Sequence, residues 1–281
     1  MRILFIRHAD PDYEHNTITE RGHREAKILA AYLAGEIPVW HLDDDFKKPS
    51  PGVREPIDYF YVSPYGRAID TARYTLDKFG TEAQTLDWLK EFPGSVDINA
   101  SMEVEKLFPT AREYFGVGPG EACPPVIPWD MLPSQWVGNP DFLDPIRWRK
   151  TVVAKHSSMV SDYETAAAGL DALLASHGYE RKGRGYTTAQ GHDQTIALFC
   201  HFGITSICLA HLMNDSPWHF LQHTVLCPTS VTEVFTEERE KGVVVWRARR
   251  IGDCSHLNAA GEEIGFHARF CSVYENTDER H

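Results

Sequence analysis

The stretch MRILFIRHADPD, residues 1–12, decides how this chain is read. Residues 3–6 are apolar and partly β-branched, the composition of a strand buried on both faces. The run stops at Arg7 and His8, and Ala9, Asp10 and Pro11 then break the strand pattern. A buried strand that ends in a guanidinium and an imidazole delivers both to one edge of a sheet. In open α/β sheets that carboxyl edge is where ligands bind.

The same device recurs twice. Residues 58–62 (DYFYV) read as a second strand running into Ser63-Pro64-Tyr65-Gly66-Arg67, followed by a helical pattern at 68–79. Residues 195–200 (TIALFC) read as a third, ending at His201-Phe202-Gly203 before a helical run at 204–213. If these strands are parallel neighbours, Arg7, His8, Arg67 and His201 converge. Two guanidiniums and two imidazoles around one point suit a dianionic phosphoryl group.

Composition bounds the rest. A chain of 281 residues builds one or two domains. We expect one domain over 1–281, with an insertion or lid at about 92–185. A net charge of −12 argues against nucleic acid or an anionic membrane as partner, and requires a local positive pocket if phosphate is to be held. No run is apolar and long enough to span a bilayer. The N-terminal apolar run, interrupted by Arg7 and His8, is too short for a signal peptide. The six cysteines show no CxxC spacing and read as reduced, buried thiols. The expected compartment is therefore the cytoplasm.

Along the chain, Thr17 or Thr19 opens a helix reaching about Ala34, with Ala26, Leu29, Ala30 and Leu33 on one face and Gly35 and Pro38 as its stop. Residues 41–56, charged and Pro-rich, read as a surface loop. Ser63 is expected as an N-cap with Pro64 in the first turn, which sets that helix's N–H groups near the anion. Residues 86–91 read as a short strand or turn. Residues 117–149 are rich in Pro and Gly yet carry Trp129, Trp136 and Trp148. Two readings stand: a lid that shapes a substrate pocket, or satellite core beneath a long loop. A long amphipathic helix is expected at 157–177, ended by Gly178, then a solvated turn at 181–184. Residues 229–235 and 242–250 read as strands joined by a charged turn at 236–241, which makes the sheet mixed. The tail after Phe270 reads as polar and loosely held.

The blocks Arg7-His8-Ala9, Ile18-Thr19-Glu20-Arg21-Gly22, Ser63-Pro64-Tyr65-Gly66-Arg67-Ala68 with Thr71-Ala72, Leu89-Lys90-Glu91-Phe92, and His201 with Gly203 occur in this order. In that order they resemble the histidine phosphatase superfamily, which includes cofactor-dependent phosphoglycerate mutases and many acid phosphatases. Gly252-Asp253-Cys254-Ser255-His256-Leu257 is similar to a family tail. The resemblance covers most of the chain apart from roughly the hundred residues between Glu91 and His201. It implies a three-layer αβα sandwich with a mostly parallel central sheet and an antiparallel strand, phosphoglycerate mutase-like. The chain departs from the pattern at Ala9, where the family has Gly, at Asp10-Pro11-Asp12-Tyr13, and at Phe202. Asn16 lies too far on to be equated with the family's Asn.

The roles follow from the resemblance. His8 is the implied nucleophile, forming a phosphohistidine. Arg7 and Arg67 bind phosphate and lower the pKa of His8. His201 donates to phosphoryl oxygens as an imidazolium. Glu91 is the implied general acid, and afterwards the base that activates water. No metal and no other cofactor is implied. His256 reads as a cap or packing residue, and His15, His23, His211, His219 and His223 form no metal set. The expected activity is hydrolysis of a small-molecule phosphomonoester, releasing inorganic phosphate. The alternatives are phosphoglycerate mutase activity, returning the phosphoryl group to a sugar acid, and a binding module without turnover.

Overall fold

The protein is described here by a computed structural model over residues 1–38 and 54–279. The loop expected at 41–56 falls largely outside the described residues.

Strand β1 (Arg2–Arg7) is followed by a short hairpin, β2 (Pro11–Asp12) and β3 (Thr17–Ile18). Helix α1 (Glu20–Leu33) is capped by Thr19, whose hydroxyl accepts from the Gly22 N–H at 3.1 Å. Strand β4 (Tyr59–Val62), helix α2 (Gly66–Phe79) and strand β5 (Gln84–Thr85) follow, then a 3₁₀ turn at Asp87–Leu89 where a strand or turn was expected. Four single-turn helices come next: α3 (Met102–Glu105), α4 (Ala111–Tyr114), α5 (Pro133–Trp136) and α6 (Val152–Lys155). The long helix α7 (Met159–Ser176) leads to strands β6 (Glu180–Lys182) and β7 (Gly185–Thr187). Strand β8 (Thr195–Cys200), helices α8 (Phe202–Met213) and α9 (Pro217–His223), strands β9 (Val231–Glu240) and β10 (Val243–Asp253), and helix α10 (Ser255–Ala260) complete the order.

The central sheet is mixed, with strand order β5-β4-β8-β1-β9-β10-β7-β6, and is flanked by helices. Strands β5, β4, β8 and β1 are parallel, while β9 runs antiparallel to both β1 and β10. Leu4, Ile6, Phe60, Val62, Ala197 and Phe199 share one face and pack on Leu29 and Leu33 of α1 and on Ala68 and Ala72 of α2. The alternate residues Ile3, Phe5, Ile196 and Leu198 are buried as well. Burial of both faces is why these segments read as unbroken apolar runs rather than alternating ones. No helix among the described residues is long and apolar enough to cross a membrane.

The chain forms two compact units: Met1–Glu91 with Thr187–Thr205 and Val225–His281, and Phe92–Tyr186 with Ser206–Thr224. The second unit has an aromatic core of its own. Trp148 is fully buried with its ring 5.4 Å from Tyr163, and Trp218 meets Phe142 edge-on at 4.9 Å. Trp136 is buried too. Arg181 is not in a solvated turn. It sits on β6 of a tight hairpin turned at Gly183 (φ 61°), stacks on Tyr186, and donates to the His211 carbonyl and to Asn214 Oδ1 at 3.1 and 2.8 Å. These acceptors hold one side of the guanidinium, while Lys182, Gly183 and Arg184 are exposed, as expected of a solvated turn.

The turn expected at 236–241 is also shorter than its charge suggested. Strand β9 continues to Glu240, because cross-strand pairs such as Glu237–Arg247 (2.7 Å) keep the charged residues in register. The reversal falls at Lys241-Gly242, with Gly242 at φ 75°.

Candidate active site

Parallel pairing of β1 with β8 sets Arg7 opposite Cys200. His8 and His201 therefore leave neighbouring strands at the same level, and their ring centroids lie 5.1 Å apart. On the other side of β8, Val62 faces Phe199, and the Ser63 N–H continues the ladder to the Phe199 carbonyl at 2.9 Å. Ser63 Oγ lies 2.8 Å from His201 Nε2. The expected cap is displaced: α2 begins with Tyr65 at the N-cap and no side-chain cap, while the Ser63 hydroxyl accepts the Tyr65 N–H at 3.3 Å and pairs with His201.

His8 is 1% exposed, and its Nδ1 is 2.7 Å from the Ala9 carbonyl. A carbonyl only accepts, so Nδ1 carries the proton and Nε2 keeps its lone pair. Burial, then the charge of Arg7, and after it Arg67 and His267, hold the imidazole well below its usual pKa, against the opposing pull of the Ala9 bond. The Ala9 N–H donates to Thr71 Oγ1 at 2.9 Å, which fixes the turn that carries His8.

His201 is 0% exposed. Burial first, then His8, Arg67 and Arg7, push its pKa well below the ordinary range. Two guanidiniums and a second imidazole beside a buried ring disfavour its protonated form, whereas an anion among them would favour it.

Arg67, in the first turn of α2, donates to Asn16 Oδ1 at 3.0 Å, with its guanidinium 4.8 Å from the Tyr65 ring centre and 5.4 Å from that of Tyr13. Burial lowers its pKa, and the Glu91 carboxylate is the largest influence opposing that. Arg7 donates through Nη1 to the Leu226 carbonyl. Arg7 Nε, Arg67 Nε and His201 Nδ1 are buried nitrogens without a hydrogen-bond partner among the described residues. An unmet buried polar group costs about 1–3 kcal/mol. Three in one neighbourhood fit a group with several acceptor oxygens. Glu91 follows the 3₁₀ turn at Asp87–Leu89 and accepts the Ile204 N–H, at the start of α8, at 3.1 Å.

Arg7, His8, Arg67, Glu91 and His201 thus all lie in the first unit, and the two histidines are in ring contact. Several neighbours were not read from the sequence. Asn16 reaches Arg67 because its own backbone is left-handed (φ 51°) and Gly66 lets the loop in: a Cβ there would lie 2.2 Å from the Asn16 carbonyl oxygen. The Asn at a left-handed position and the Gly in Tyr65-Gly66-Arg67 were the available signals. His267, on a 3₁₀ turn at Phe266–Ala268, lies 5.6 Å ring to ring from Tyr13, and nothing in its polar surroundings announced it. His256 is the packing residue expected, stacked on Tyr32 at 5.3 Å and 3.0 Å from Thr229 Oγ1. No group of three or more His, Cys, Asp or Glu side chains that could hold a metal ion occurs among the described residues.

No family model matches the sequence, and no curated protein matches it. Solved structures do match. A mutant phosphoserine phosphatase from Entamoeba histolytica, in complex with phosphoserine, is 13% identical over 91% of this chain and 98% of its own, with a TM-score of 0.50. Mycobacterial hydrolase 1 is 16% identical over 90% of this chain and 98% of its own, with a TM-score of 0.50. Mycobacterial hydrolase 2 is 16% identical over 92% and 96%, also at 0.50. At these identities the likeness is one of fold: a mixed eight-stranded sheet flanked by helices, phosphoglycerate mutase-like.

Proposed function

We propose that this chain, which carries the fold of the histidine phosphatases, hydrolyses a phosphomonoester through a phosphohistidine on His8. The observation that carries the reading is the His8 tautomer: Nδ1–H is spent on the Ala9 carbonyl, which leaves Nε2 as the attacking atom beside His201. The depressed pKa keeps that lone pair free of a proton at neutral pH.

In the first step Nε2 of His8 bonds to phosphorus as the ester P–O bond breaks, and Glu91 gives its proton to the leaving alkoxide. Arg7 and Arg67 take the charge on the phosphoryl oxygens. His201, its Nε2 paired with Ser63 Oγ, donates to a phosphoryl oxygen through Nδ1–H. In the second step water attacks phosphorus, Glu91 takes its proton, the P–N bond breaks, and His8 recovers its lone pair as inorganic phosphate leaves. The substrate is a small-molecule phosphate ester.

The test is incubation with an aryl phosphate and, separately, with 3-phosphoglycerate plus a bisphosphoglycerate primer. Hydrolysis with an acid-labile phosphoenzyme that is lost in His8→Ala is expected. Efficient primer-dependent isomerisation would make the chain a mutase, and phosphate binding with no turnover on a broad panel would make it a binding module.

A further inference from the structure

We propose that Glu25 is a positioning residue for His8, acting through the Ala9–Asp10 peptide group. One peptide unit is clamped at both ends. Its carbonyl, from Ala9, accepts the His8 Nδ1–H at 2.7 Å, and its N–H, from Asp10, donates to Glu25 Oε2 at 2.7 Å. A carboxylate on the N–H draws electron density toward the carbonyl oxygen and makes it a stronger acceptor. That holds the Nδ1–H tautomer, fixes the ring, and stabilises the positive charge that grows on the imidazole as Nε2 bonds to phosphorus. The logic is that of a carboxylate orienting a catalytic histidine, with a peptide group between the two.

The turn does not depend on Glu25 for its shape. Ala9 is tied to Thr71, the Thr19 N–H donates to the Asp10 carbonyl at 3.0 Å, and Thr19 Oγ1 donates to Asp10 Oδ2 at 2.7 Å. An amide side chain would satisfy the Asp10 N–H equally well. Instead a 0% exposed carboxyl group occupies the inner side of α1, and its Oε1 has no hydrogen-bond partner among the described residues. A buried charge of this kind is costly unless something uses it. Burial raises its pKa to about 7; the Asp10 N–H bond and Arg21 oppose the rise, and the Asp10 and Glu262 carboxylates add to it. On the other side of the peptide, His8 is faced by Arg7, Arg67, His201, His267 and Tyr13.

The charged relay is present above a pH of about 7 and neutral below it. Phosphorylation of His8 therefore accelerates as Glu25 ionises. The inference rests on the phosphohistidine reading, and its test separates the two. Phosphoenzyme formation from p-nitrophenyl phosphate is followed by rapid quench from about pH 6 to 8 in wild type, Glu25→Gln and Glu25→Ala. Glu25→Gln, which keeps the acceptor and loses the charge, is expected to phosphorylate about tenfold more slowly with KM unchanged, and to lose the rise near neutral pH. A Glu25→Gln enzyme with the wild-type rate and pH profile would reduce Glu25 to a structural acceptor and leave the phosphohistidine intact. If the wild type forms no phosphohistidine, the functional reading itself fails. The His8 Nδ1–H NMR resonance of the unsubstituted protein supplies a test that needs no variant: it should move with the ionisation of Glu25, and a resonance indifferent to pH across that range overturns the relay.

Discussion

The two units are held together by different means. In the first, regular pairing does the positioning: Arg7, His8, Ser63 and His201 take their places from the registers of β1, β4 and β8. In the second, Phe92–Tyr186 with Ser206–Thr224, the stretch before α7 is built of single-turn helices with no strand ladder, and large buried side chains such as Trp148 and Trp218 do the holding. A backbone ladder sets atoms to within fractions of an ångström whatever the side chains are. An aromatic core excludes water and tolerates irregular backbone, but each ring carries a large share of the stability.

The contrast can be broken by substitution. His8→Ala should lower turnover by a factor on the order of 10⁴ or more with the far-UV spectrum unchanged; a phosphatase assay alongside circular dichroism checks it. Trp148→Ala should do the reverse, costing about 3–5 kcal/mol of stability in denaturant titration. A small loss would show that the ring is not the centre of its unit. Glu91→Gln should slow alkyl phosphates by about 10²-fold and aryl phosphates much less. Equal losses across a leaving-group series would remove the proton-transfer role. Ser63→Ala, which takes the partner from His201 Nε2, should cost about 1 kcal/mol in transition-state stabilisation, read as a several-fold drop in kcat/KM.

Stability against pH sharpens the same comparison. His8, His201 and His256 all have pKa values depressed below those of the unfolded chain. Their contribution is complete above the ordinary histidine range, about 6.5, and is lost as pH falls below it. Glu25 has the opposite sign. Its raised pKa makes its contribution complete below the unfolded value of 4.5 and lost as pH rises through about 7, by up to about 3 kcal/mol. Between pH 4.5 and about 7 the Glu25 contribution opposes that of the histidines, so in thermal melts Glu25→Gln should steepen the loss of stability on the acid side and leave the slope above about pH 7 unchanged.

Much of the first unit was legible because its signals are local. The apolar run of β1, the Thr19 cap and the polar tips of three strands depend on neighbours in sequence. What escaped depends on partners far along the chain. Ser63 reads as the helix cap, yet its hydroxyl accepts only the Tyr65 N–H just ahead of the helix and is shared with His201, 138 residues away. Glu25 reads as one more charge on an amphipathic helix until the Asp10 N–H is found against it. Residues 236–240 read as part of a turn because a cross-strand partner such as Arg247 for Glu237 is invisible in one dimension.

The pairing of Arg7 with Cys200 also says which changes the sheet can accept. Inserting or deleting one residue within β1 or β8 would slide one imidazole about 3.3 Å along its strand and turn it to the opposite face. Replacing one apolar side chain by another leaves the level untouched. The strands thus constrain length far more tightly than the identity of any one apolar residue, and a fold held this way can be specified by many different sequences.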